Sequence, residues 1–476
     1  MLFNSPEFIF GFLPIALAGW FIFGHFDLRQ LALFWMCLAS LIFYGYDDPQ
    51  LLVPLILGSI TFNFIVGRIL ARTVSKRVLV AGVAGNLVTL AFFKYVGFIA
   101  DTLAALTGLD IPYPAIPLPI GISFFTFTQI AFLVDVYRRQ ASEYEPVKYA
   151  LFVSYFPHLI AGPILHHRET VPQFNCAAVF RPQLDCIALG LGWFAIGLFK
   201  KAVLADGIAP FVNPSFDAAG QGMGVGVAEG WIGTLSYTLQ LYFDFSGYSD
   251  MAIGLALLMG ITFPLNFNSP YKALSLVEFW RRWNMTLSRF LRDYLYIPLG
   301  GNRRGGVRRY VNLLITMVLG GLWHGATWNF ALWGALHGLG LVANHFWSAI
   351  TAKRPLRLPR AASWMITIIF VTLAWVPFRA NTLSASLIVW KGLFGLGEGT
   401  AAPANPIEAS IWIAALSAIA LFAPNTQEMM SHPWSEKAAL LRWTAAPIWA
   451  IALGCAFGVA VAATFHRSTV FLYFRF

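Results

Sequence analysis

Apolar runs near residues 8–24, 31–46, 50–70, 78–100 and 116–137 follow one another with short polar breaks, each about long enough to cross a hydrocarbon core as a helix. The pattern weakens from Gln140 to Cys186, where Lys148, Arg168 and Arg181 interrupt it. A segment that dips in and returns to the same side is expected there. Spans resume near 187–205 and 229–262, a hairpin is expected near 310–351, and three more runs lie near 364–380, 408–424 and 445–464. The pattern predicts an all-α polytopic membrane protein with about ten to twelve crossings and re-entrant segments. No repeat of helical-array period and no low-complexity linker is visible, so one transmembrane domain over 1–476 is the simplest organisation.

Composition sharpens this reading. The chain is 58% hydrophobic and only 11% charged, with a mean hydropathy of +0.67. Soluble domains carry about a quarter charged residues, so most of this chain is excluded from water. Met1 to Glu7 lacks a basic n-region and Gly11 to Gly24 runs on without a small-residue cleavage site, so the first apolar run is expected to stay as a span. Cys37, Cys176, Cys186 and Cys455 have neither disulfide-framework nor metal-ligand spacing, and no metal site is expected.

The formal charge of +10 reads first as cytoplasmic loops, and no nucleic-acid partner is needed to explain it. Arg68, Arg72, Lys76 and Arg77 form the densest early basic cluster. Counting spans in both directions from that loop puts the N- and C-termini outside. It also puts the 264–309 loop inside, with Arg281, Arg282, Arg289, Arg292, Arg303, Arg304, Arg308 and Arg309. Lys353, Arg354, Arg357 and Arg360 make another inside cluster. The apolar stretch between these two clusters is therefore a hairpin.

That hairpin carries two imidazoles, His324 within Leu322-Trp323-His324-Gly325-Ala326-Thr327-Trp328-Asn329, and His337 thirteen residues on. Ionisable groups inside apolar spans are costly and usually mark function. A break near His324 is favoured by Gly320, Gly321 and Gly325. Each histidine is fourteen residues from its nearer cytoplasmic boundary, Tyr310 or Thr351, which predicts two rings at one depth, about 21 Å in, on opposite legs. A buried neutral imidazole can take a proton from a hydroxyl while its neighbour orients or polarises a carbonyl, a division that suits acyl transfer. A proton relay in a transporter or channel is the alternative use of such a pair. Asp244 and Asp250 are carboxylates in an apolar span, and pairing with an arginine or a backbone donor is their expected structural role.

Several strings resemble the membrane-bound O-acyltransferase family, in its bacterial branch that is similar to alginate O-acetylases. They are Tyr242-Phe243-Asp244-Phe245-Ser246-Gly247-Tyr248-Ser249-Asp250-Met251, Glu278-Phe279-Trp280-Arg281-Arg282-Trp283, Arg292-Asp293-Tyr294-Leu295-Tyr296-Ile297-Pro298-Leu299-Gly300-Gly301-Asn302-Arg303, and Trp323-His324-Gly325. The likeness runs from Phe3-Asn4-Ser5-Pro6-Glu7-Phe8 through Ala161-Gly162-Pro163 to the last residues. It implies a helical bundle around a central funnel, with His324 as the active-site histidine and His337 as the second one. Asn284 stands where this branch has histidine; it can hydrogen-bond but cannot carry a titrating proton, so a positioning role is what survives.

The resemblance further implies an inner-membrane enzyme with no bound cofactor that takes acetyl from cytoplasmic acetyl-CoA and delivers it outward. The implied partner is a periplasmic transferase of the SGNH type or other machinery handling an exported, alginate-like polysaccharide. Peptidoglycan or another envelope glycan is the alternative acceptor. Arg281, Arg282 and Arg303 become donor-side candidates, because guanidinium forks match phosphate geometry, and Trp323, Asn284 and Asp244 join them as substrate-side candidates. The ending Thr469-Val470-Phe471-Leu472-Tyr473-Phe474-Arg475-Phe476 reads either as an aromatic belt at the outer interface or, since it is similar to the terminal motif of the small partner in teichoic-acid D-alanylation, as a relay. In the second reading Tyr473 is a transient acyl acceptor, its aryl ester being more reactive than an alkyl ester.

Overall fold

In the computed structural model the described residues are all but 115, 144, 304, 352–357, 398, 400–404, 431–441, 445, 467–470 and 473–476. Among them every regular element is helical. Among the described residues six helices are long and apolar enough to cross a membrane: Glu7–His25, Pro49–Thr73, Lys76–Lys94, Leu184–Phe211, Arg360–Arg379 and Pro447–Phe465. The chain is a multi-pass membrane protein. Arg29–Tyr44, Ile122–Tyr137 and Pro406–Phe422 fall where apolar runs predict spans but are shorter. The run near 78–100 is not one helix; it breaks at Tyr95, and a second helix continues from Val96 to Thr107. The weakly patterned stretch after Gln140 folds into pieces such as Pro146–Ser154, Phe156–Leu159 and His167–Thr170, each too short to cross.

The chain forms two compact units. One comprises Met1–Leu198, Tyr248–Leu265 and Leu453–Thr464. Its core is aromatic, with Phe3, Phe8, Phe43 and Phe156 in mutual ring contact. Polar groups buried there are satisfied across helices. Asn63 and Asn86 exchange amide hydrogen bonds of 3.0 and 2.6 Å, and the Trp20 indole donates to the Val179 carbonyl at 2.8 Å. In a dry interior such pairing is what makes an amide tolerable.

The other unit comprises Phe199–Gly247, Asn266–Ala452 and Phe465–Phe476 and contains the histidine hairpin. The first leg, Gly306–His324, ends on the histidine itself, and the second leg starts at Trp328 and runs to Thr351. Small residues close the seam. A β-carbon on Gly321 would overlap the Phe330 carbonyl oxygen, and one on Gly334 would overlap that of Met317. Without a hydrophobic force between helices in lipid, this close backbone approach is what packs them. The helix Arg360–Arg379 then brings Phe370, Trp375 and Phe378 against the hairpin, and the short helix Leu276–Trp280 brings Phe279 and Trp280.

Candidate active site

The hairpin brings its two imidazoles to one tryptophan. Side chains on a helix tilt toward its N-terminus. His324, at the end of the first leg, therefore leans back down that leg, and His337 leans up the second leg toward the turn. They meet at Trp333, whose ring centroid is 5.1 Å from His324 and 4.9 Å from His337. The expectation of equal depth is corrected. In backbone position His324 sits at the turn, whereas His337 lies nine residues into the second leg, about 14 Å along it, and the tilt of the side chains brings the rings closer than their backbones. Counting from the two cytoplasmic boundaries missed this offset because it took Tyr310 and Thr351 as level, whereas the legs pack with Gly321 against Phe330 and Gly334 against Met317.

Both rings are enclosed. His324 is 4% exposed and touches Trp323 at 4.9 Å and Phe378 at 5.2 Å. His337 is fully buried among Trp280, Phe370, Trp375 and Phe279. One polar contact decides its chemistry. The Trp280 Nε1–H donates to His337 Nδ1 at 3.3 Å. An indole N–H can only donate, so Nδ1 is the acceptor and the neutral ring carries its proton on Nε2. That Nε2 is buried and has no hydrogen-bond partner among the described residues. His337 thus presents an N–H at Nε2.

Phe370 belongs both to this enclosure and to the wall of an apolar cleft of about 580 Å³, bordered also by Leu276, Gly340, Asn344, Trp347 and Ile366. Space therefore reaches the outer side of the aromatic shell around His337.

The other sequence candidates divide. Trp323 packs directly on His324. Arg282 is taken up locally, with its guanidinium on Glu278 at 2.8 and 3.0 Å and on the Asn268 carbonyl at 3.1 Å. Arg281 and Arg303 are exposed. Arg281 and Arg309 both bear electrostatically on His345, and the Arg309 Nη2 lies 2.6 Å from its Nδ1. Asn284 is buried in a left-handed conformation, φ +41°, and its Nδ2 has no hydrogen-bond partner among the described residues. Asparagine and histidine are among the residues that enter this region most readily, a physical reason for either at this position. The structure does not place Asp244 in the histidine cage. It is buried against Lys201 at 2.7 Å and accepts the Leu472 main-chain N–H at 3.0 Å, the backbone-donor option. Tyr473 lies outside the described residues, as do Lys353, Arg354 and Arg357.

Sequence reasoning missed Trp280 and Trp333 as members of the site. The signal for Trp333 was its spacing four residues before His337, which puts both on one helix face. Trp280 stood inside a quoted motif, and nothing in its spacing tied it to a residue 57 positions on.

A family model described as MBOAT, membrane-bound O-acyltransferase family, matches residues 20–386. The chain is 44% identical over 426 residues to a peptidoglycan O-acetyltransferase of Helicobacter pylori, covering 83% of this chain and 80% of that protein. It is 41% identical over 408 residues to a probable alginate O-acetylase AlgI of Pseudomonas aeruginosa, covering 83% and 75%. A teichoic acid D-alanyltransferase of Streptococcus thermophilus is 29% identical over 48% of this chain and 57% of its own length. The chain belongs to the membrane-bound O-acyltransferase family and is an O-acyltransferase. The transporter alternative falls away.

Proposed function

We propose that this chain acetylates a polysaccharide of the cell envelope or an exported polysaccharide. It would take acetyl from acetyl-CoA at the cytoplasmic face of the inner membrane and pass it outward. The observation that carries this reading is the buried imidazole pair on Trp333, in which the Trp280 indole occupies His337 Nδ1 and so puts the His337 proton on Nε2.

In the proposed step His324 removes the proton of an acceptor hydroxyl as its oxygen attacks the thioester carbonyl. The His337 Nε2–H donates to the carbonyl oxygen as negative charge builds there, a term worth roughly 10² to 10³ in rate for such donors. The tetrahedral adduct collapses, the C–S bond breaks, and the thiolate of CoA takes the proton from the His324 imidazolium. The ester is formed and the base is regenerated. Tyr473 is the proposed first acceptor, handing acetyl to the glycan directly or to a periplasmic transferase of the SGNH type. Arg281 and Arg303 are proposed to attract the phosphates of the donor. The periplasmic placement of both termini belongs to the same proposal.

Acetyl as the acyl group and a glycan hydroxyl as acceptor are supported by the likeness to both the peptidoglycan O-acetyltransferase and the probable alginate O-acetylases. The test uses inverted and right-side-out vesicles with labelled acetyl-CoA and either alginate or peptidoglycan as acceptor. His324→Ala at normal membrane abundance should abolish labelling, and retained transfer would remove its catalytic role. Tyr473→Phe should lose outward transfer; an unchanged product reduces the tail to an anchor. Labelling of one polymer and not the other names the glycan.

A further inference from the structure

The buried charges of the second unit lie away from the histidine cage and have no part in the proposed chemistry. Lys201, Asp206 and Asp244 form a compact group in which the Lys201 Nζ is 2.8 Å from Asp206 Oδ1 and 2.7 Å from Asp244 Oδ1. All three are at most 2% exposed. Lys201 sits in a π-helical turn, Lys200–Ala205, a feature frequent at functional sites. Charges inside a membrane protein are expensive, and a buried pair by itself is weak evidence for stability. The other oxygen of Asp244 shows what the group holds. Oδ2 accepts the main-chain N–H of Leu472 at 3.0 Å, across 228 residues of sequence. Phe471 and Leu472 are both buried, and the Phe471 ring lies 6.0 Å from that of Phe245, the neighbour of Asp244.

We infer that Lys201, Asp206 and Asp244 form a receptor for the C-terminal tail, which holds it by a peptide N–H rather than by a side chain. Lys201 orients the carboxylate from one side, leaving the second oxygen aimed at the tail, and Phe245 supplies the apolar seat for Phe471. Asp244 and Lys201 are then positioning residues for the O-acyltransferase. Their role is to fix where the last residues start, and the link to transfer rests on the proposal that Tyr473 accepts acetyl. Phe245 also contacts Phe267, and Phe267 contacts Trp283, which contacts Trp375 of the cage. The tail seat and the histidine enclosure therefore share one aromatic core.

The inference separates cleanly from the relay. Hydrogen–deuterium exchange of the full-length protein in detergent reads the C-terminal peptide directly. In the native chain this peptide should contain an amide exchanging at least about tenfold more slowly than an unprotected one. The variant Asp244→Leu, which leaves Lys201 paired one-to-one with Asp206, should lose that protection while the hairpin peptides stay protected. Protection that persists in this variant overturns the receptor. For the positioning role, Leu472→Pro removes the N–H and should lower acetyl transfer roughly tenfold or more, whereas Leu472→Ala keeps the N–H and should stay within about threefold of native. Equal activity of the two variants overturns it. If Tyr473→Phe retains full transfer while exchange protection is present, the relay fails and the receptor stands.

Discussion

The indole N–H of Trp280 donates to Nδ1 of His337 at 3.3 Å, and this one contact distinguishes two otherwise similar buried histidines. It assigns the proton of His337 to Nε2 and makes that ring a donor. Trp280→Phe keeps a ring in the same place but removes the donor. The expected result is a fall in kcat of about tenfold with little change in KM for the proposed donor, acetyl-CoA, since in the proposed step the lost interaction orients a group that acts in the transition state. An equal rise in KM with unchanged kcat would show instead that Trp280 serves binding.

The same assignment predicts an asymmetry between the histidines. His337→Gln retains an N–H donor and should keep part of the activity, roughly a tenth or more, whereas His324→Gln lacks a titrating group and should fall by about 10² to 10⁴. Steady-state rates of the two variants at matched membrane abundance decide this. Comparable losses would mean that the two rings do not divide base and donor roles.

Hairpin packing gives a stability prediction. At Gly334 any side chain must displace the Met317 carbonyl of the facing leg. Gly334→Val is expected to destabilise the protein by about 1–3 kcal/mol or more through overpacking. A lower midpoint in a detergent thermal-aggregation assay checks it, with Gly454→Val as control, because nothing lies within 4 Å of a β-carbon there.

Arg281 and Arg303 are exposed, so their proposed attraction of donor phosphates acts through solvent. Charge reversal to Glu at both should raise KM for acetyl-CoA about three- to tenfold at low salt, and the effect should shrink as ionic strength rises. Arg282→Gln is the contrasting variant, because its partner is Glu278 in the same turn. Its loss should appear as reduced stability that salt hardly alters.

The helical, multi-pass architecture and the break at His324 were legible because both follow from local pattern: apolar run length, and glycines beside an imidazole. The offset in depth between the two histidines was not, because residue counting assumed symmetric legs, and the real register is set by Gly321 against Phe330 and Gly334 against Met317. The aromatic cage was also illegible. In a chain that is 16% aromatic, one more tryptophan carries no signal until its neighbours are known. Asp244 was conspicuous as a carboxylate in an apolar run, but its partners Lys201 and Leu472 lie 43 and 228 residues away, and no periodicity connects them.

Only residues 325–327 join the two legs that carry His324, Trp333 and His337. Closing so short a connection costs little chain entropy, and the glycine seam needs no other part of the protein to form. The central trio of rings is therefore built from one contiguous segment of chain. Trp280 and Trp375, one encoded before it and one after, complete the enclosure from either side.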